Sequence, residues 1–176
     1  MFVKLVLSSI CRSARCLKIL YFAFVHPHLL HGIELYANTS SVHLSKIITL
    51  NNKILRILQN QPYNSSVKDL YAEYNTLPIP QLHIQQLLIL VHKFVYHRHL
   101  LPSIFLNYFQ DNKSIYSYDT RNKANLHLHS VNTTYGQRSV KYEAASLWND
   151  LPQSVKDVVS INKFKQSVKL FLLNQI

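Results

Sequence analysis

Histidine is the residue type here best suited to do chemistry, and the chain has ten. His26, His28 and His31 sit close together, as do His92, His97 and His99, and His127 with His129. A catalytic zinc site takes three protein ligands and one open position, commonly with two His four apart on one helix face. The pairs His26/His31 and His92/His97 are five apart instead, and His127 and His129 alternate. Neither a His-Glu-x-x-His run nor a cysteine cluster accompanies them. The spacing therefore points to stacking, hydrogen bonding or surface positions, and no metal or other cofactor is expected.

Hydrolysis and phosphoryl transfer fare no better. A nucleophile elbow or a phosphate-cradling loop needs glycines to let the backbone turn and approach substrate, and only Gly32 and Gly136 are available. Two-metal chemistry needs clustered carboxylates, yet no two of the eight acids are adjacent in sequence. The expectation is a chain that is not an enzyme on its own.

Cations and rings are more informative. In "SYDTRNKANLHLHS" and "YGQRSVKYEAASLWN", Tyr118, Arg121, Lys123, Tyr135, Arg138, Lys141 and Tyr142 interleave aromatic faces with positive charge. Such interleaving suits single strands or unpaired ends, because every base offers a π-face. Arg121, Arg138 and Lys141 are the candidate phosphate contacts, with Tyr118 or Tyr142 as stacking platforms. Trp148, the single Trp, lies between Leu147 and Leu151 and reads as a core anchor.

The elements that must position these groups are mainly helical. With 2 Gly and 6 Pro there are too few turn signals for a many-stranded sandwich or barrel. Residues 2–25 read as a helix with Leu17, Leu20, Tyr21 and Phe24 on one face, ended by Pro27. A bend at Gly32 and an Asn-Thr-Ser-Ser cap then lead into a helix from Ser41 to Leu58. Its apolar stripe is Ile47, Leu50, Ile54, Ile57 and Leu58, bordered by a basic edge of Lys46, Lys53 and Arg56 suited to phosphates. A short helix in "VKDLYAEYNTLPIP" ends at Pro78 and Pro80, and a long one follows over 81–99, with Leu87, Leu88, Val91, Phe94 and Val95 inward. Residues 108–135 read as an extended loop or short hairpin. A last helix over 160–173 turns Phe164, Val168, Phe171 and Leu172 to one side.

Charge narrows the partner. The net charge of +11 and a pI near 9.7 suit a polyanion, and both ends share the excess. Residues 1–60 carry seven bases against one acid, residues 61–120 four of each, and residues 121–176 eight against three. Cys11 and Cys16 are too few for a disulfide framework, so reduced thiols are expected. The apolar run near the start is interrupted by Arg12, Arg15 and Lys18, so neither a targeting segment nor a membrane span is expected. An intracellular setting, nucleus or cytoplasm, fits these features.

One ordered set of segments goes further. "LYFAFVHPHLLHGIELYANT", "LNNKILRIL", "LPSIF", "YDTRNK", "GQRSVKYEAASLWNDLP" and "FKQSVKLFLL" follow one another across residues 17–173. Together they resemble the C-terminal part of the reverse transcriptase of non-LTR retrotransposons, the Jockey and CR1-like group. The resemblance implies a helical, thumb-like region over 1–60 and a post-thumb extension over 61–176, the latter loop-rich and aromatic before its final helix. That family's RNA-directed DNA polymerase keeps its metal-binding Tyr-x-Asp-Asp motif in a palm domain. No Asp-Asp pair occurs here, so the resemblance implies a fragment without that palm. Its partner would be RNA or a DNA primer-template held by the backbone, with no membrane and no cofactor. The competing expectation is a helical module that docks on a protein through an exposed apolar face.

Overall fold

A computed structural model describes residues 14–117, 123 and 125–174. The part of the first expected helix over residues 2–13 lies outside them, as do Tyr118 and Arg121. The described residues are mainly helical and contain no strand beyond one isolated antiparallel bridge, Asp111 with Leu126. Two compact units are formed, and the division falls between Leu82 and His83.

In the first unit, helix α1 (Ala14–Leu20) runs into a π-helical turn, Tyr21–Val25, and then α2 (His26–Leu30). A π turn inserts extra backbone and rotates the succeeding residues around the helix axis. Tyr21 is therefore fully buried while Phe24, expected beside it in the core, is 67% exposed. Pro27 does not end the run. It occupies the first turn of α2, where its missing N–H costs nothing. Gly32 supplies the bend at φ 67, ahead of α3 (Ile33–Tyr36). Cys16 is disulfide-bonded, which corrects the expectation of reduced thiols.

Helix α4 (Ser41–Leu58) has the expected bounds but a rotated core face. Leu44, Asn51, Leu55 and Leu58 are buried, whereas Leu50 and Ile57 of the expected stripe are 59% and 44% exposed. The rotation has a chemical cause at Asn51. The Tyr21 hydroxyl donates to Asn51 Oδ1 at 3.2 Å, Asn51 Nδ2 donates to the Tyr71 oxygen at 3.0 Å, and the Tyr71 hydroxyl donates to Asn52 Oδ1 at 2.8 Å. A polar side chain thus occupies a core position because its donors and acceptor are satisfied there.

Helix α5 (Val67–Tyr74) closes this core with Leu70, Tyr71 and Tyr74 against Tyr21, Leu55 and Leu58. Gln59 ties the two helices by donating to the Leu70 carbonyl at 2.8 Å. The first unit consequently runs past the boundary expected after residue 60. Asn75, left-handed at φ 50, ends α5 three residues before Pro78. Helix α6 (Ile79–Tyr96) then starts with Pro80 in its first turn and stops short of the expected residue 99.

The second unit packs Leu87, Leu88, Val91 and Phe94 of α6 inward as expected, although Val95 is 39% exposed. Short 3-10 turns, Arg98–Leu100 and Ser103–Phe105, and helix α7 (Asn112–Ile115) lead to the bridge. Helices α8 (Thr134–Gln137), α9 (Val140–Asp150), α10 (Gln153–Lys156) and α11 (Ile161–Leu173) come next. Residue pattern alone assigns no helix at α9, yet Ser139 caps it by accepting from the Tyr142 N–H at 3.3 Å. Trp148, 6% exposed, is the expected anchor, with its ring 5.9 Å from Phe164 and 6.5 Å from His92. Phe164, Val168 and Leu172 of α11 are buried, and Phe171 is only half-buried.

Candidate functional site

In the second unit, the turn at the end of the loop region gathers rings and cations. Gln110–Asn112 and Asn125–His127 lie side by side, the Asn112 N–H donating to the Asn125 carbonyl at 3.0 Å and the His127 N–H to the Gln110 carbonyl at 2.7 Å. Asn149 of α9 fixes this pairing from the helix. Its Oδ1 accepts from the Leu126 N–H and its Nδ2 donates to the Leu126 carbonyl, each at 2.9 Å. The "LWNDLP" stretch therefore contributes an anchor in Trp148, a clamp in Asn149 and a stop in Leu151-Pro152.

Around that clamp, the Tyr116 and His127 rings are 5.9 Å apart edge to face, and His127 and His129 are 5.0 Å apart. His127 is held by Asn112 at 3.2 Å from its Nδ1. Lys141 Nζ sits 6.0 Å from the Tyr108 ring, which itself packs edge to face on Phe109 at 5.0 Å. Loss of water lowers the His129 pKa, and the nearby charges of Lys141 and His127 lower it further. Exposed Tyr116 and His129, half-buried Tyr108 and His127 and the Lys141 ammonium lie over buried Phe109, a combination of ring faces and positive charge that can stack flat π systems and attract anions.

The other expected contacts are distributed unevenly. Arg138 is exposed just before α9, and its charge offsets part of the rise that burial imposes on the Glu143 carboxyl. Tyr142 is half-buried on α9. Tyr108, Tyr116, His127 and His129 are rings that the expectation did not name, and Tyr118 lies outside the described residues. The alternation in "LHLHS" was the available signal for His127 and His129; Tyr108 and Tyr116 had none beyond their residue type.

In the first unit, Lys46 and Lys53 are exposed and two turns apart on one side of α4, about 10 Å along the axis at helical rise. Arg56 does not join them. Its guanidinium donates to the Ser65 carbonyl at 3.3 Å and covers the Tyr63 ring at 5.5 Å. Leu50 and Ile57 share the exposed side with Lys46 and Lys53, with Val42 and His43 a turn before.

Among the described residues, no group of three or more His, Cys, Asp or Glu is arranged to hold a metal ion. Nor is any described helix long and apolar enough to cross a membrane. The chain matches no protein-family model, and neither curated proteins nor solved structures yield a match.

Proposed function

We propose that the chain binds a nucleic-acid strand, RNA or primer-template, through its backbone and unpaired bases, as a piece of a non-LTR retrotransposon reverse transcriptase lacking the catalytic palm. The observation that carries this reading is the meeting of Lys141 with Tyr108, Tyr116, His127 and His129 on one surface of the second unit. Stacking on rings and attraction to a cation are the two contributions that a single strand offers without regard to sequence. Lys46 and Lys53, exposed on α4, add a backbone contact in the first unit, and the +11 charge favours encounter with any polyanion. Arg56 contributes by supporting the Tyr63 turn rather than by touching phosphate. Polymerisation is not part of this reading, since the sequence has no Asp-Asp pair to hold the metals.

Filter retention of labelled single-stranded RNA across a salt series tests the proposal. Counterion release makes log K fall linearly with log salt, with a slope of about −0.7 per phosphate neutralised on single strands. Retention that is absent at low salt, or flat across the series, sinks it.

A further inference from the structure

We infer that the groove between the Tyr21–Leu30 stretch and helix α4 is a docking surface for an amphipathic, acid-flanked helix of a partner protein. The groove encloses about 240 Å³ and is walled by Phe24, Val25, Leu29, Ile47, Leu50 and Ile54, with His28 at its edge. It opens to solvent, and two wall residues, Phe24 and Leu50, are among the more exposed apolar side chains of the first unit at 67% and 59%. Ile57, two turns beyond Leu50 on the same side of α4, extends the strip.

Charge selects the occupant. Neither Ala14–Leu30 nor Ser41–Leu58 contains an Asp or Glu, while together they carry Arg15, Lys18, Lys46, Lys53 and Arg56. Lys46 and Lys53 lie four residues before and three after Leu50, so both flank the exposed strip on its own side. A helix that presents apolar residues every three or four positions, edged by Glu or Asp, fills the groove and meets both lysines. A second copy of this chain would bring the same cations face to face. A lipid surface would seat a convex apolar ridge better than a concave trough, and a phosphate track would leave the apolar walls uncovered. The inference does not rest on nucleic-acid binding, although Lys46 and Lys53 serve both.

The test uses the full chain and a synthetic amphipathic peptide of about five helical turns, with Leu along one face and Glu on both flanks. Two controls accompany it, a scrambled peptide and one with Lys replacing Glu. Fluorescence anisotropy should show the Glu-flanked peptide binding about tenfold or more tighter than either control, a difference of about 1.4 kcal/mol. Phe24→Ser and Leu50→Ser should each weaken it about tenfold. Both side chains are exposed, so circular dichroism should be unchanged, and because neither substitution alters charge, RNA retention should persist. Equal binding of the scrambled peptide, no binding, or indifference to both substitutions overturns the inference. A concentration-dependent dimer that Leu50→Ser dissociates overturns it in favour of a second copy. Adsorption to phosphatidylcholine–phosphatidylglycerol vesicles that Leu50→Ser abolishes, with no peptide binding, overturns it in favour of a lipid surface. Loss of RNA retention in the unmodified chain leaves these outcomes untouched and bears on the nucleic-acid reading alone.

Discussion

The two units solve the same packing problem with different chemistry. The first places an amide at the centre of its core, where Asn51 links the Tyr21 and Tyr71 hydroxyls, and leaves Phe24, Leu50 and Ile57 outside. The second stacks rings, His92 on Phe164 at 4.1 Å with Trp148 alongside, and keeps its exposed aromatics next to a cation. A polar core fixes helix register because only one arrangement satisfies the hydrogen bonds, whereas a ring stack supplies area and tolerates a polar surface above it. The two units accordingly show different faces to solvent. One presents lysines beside exposed aliphatic side chains; the other presents a lysine among rings.

The sharpest way to break the comparison is Trp148→Ala. Removing a buried Trp costs about 3–5 kcal/mol, and the loss of hydrogen-exchange protection should concentrate in residues 83–174. Protection lost equally in Ser41–Leu58 would erase the distinction between the units. Next in size is Asn51→Leu, which takes the acceptor from the buried Tyr21 hydroxyl and leaves Tyr71 its bond to Asn52 alone; it should lower stability by about 1–3 kcal/mol, read from the denaturant midpoint. Burial already pushes the Tyr21 hydroxyl pKa up to about 12, so it cannot relieve the loss by ionising at neutral pH.

Tyr116→Ala should weaken single-stranded RNA by about 1–3 kcal/mol and leave blunt duplex RNA nearly unaffected in a parallel titration. Lys141→Ala should instead weaken both and reduce the salt slope by about one contact.

The smallest effect expected is one of pH. His92 is held by its Nε2 against the Val158 carbonyl at 2.7 Å, so Nε2 carries the proton, and its buried Nδ1 has no acceptor to receive a second one. Burial, reinforced by His97, lowers its pKa below 6.5 despite the Val158 bond. The unfolded chain therefore binds the proton more readily. The stability that His92 contributes is complete above about pH 6.5 and is lost as pH falls towards its folded-state value. The melting temperature should drop between pH 7 and pH 5, and His92→Leu should flatten that slope.

Much of this was legible from residue pattern. The bounds of Ser41–Leu58, the inward face of α6 and the anchoring Trp148 all follow from periodicity and residue type. Phase was harder to read. A hydropathy stripe leaves Asn51 out, although its partners make it a core residue, and no pattern announces the π turn that moves Phe24 outward. Helix α9 was obscured because Lys141 and Tyr142, with Arg138 just before it, drew a surface interpretation, even with a capping Ser139 in view. The ring cluster depends on Asn125–His127 returning beside Gln110–Asn112, a pairing between segments whose spacing carries no signal.

The Asn149 clamp also has a consequence for the lifetime of the molecule. One primary amide supplies both halves of a contact that elsewhere takes a neighbouring strand. Hydrolytic conversion of that amide to a carboxylate would swap its donor for a negative oxygen aimed at the Leu126 carbonyl, and repulsion would replace attraction. A change of one dalton, invisible to fold-level probes, would loosen the seat of His127 and age this surface before the core beneath it.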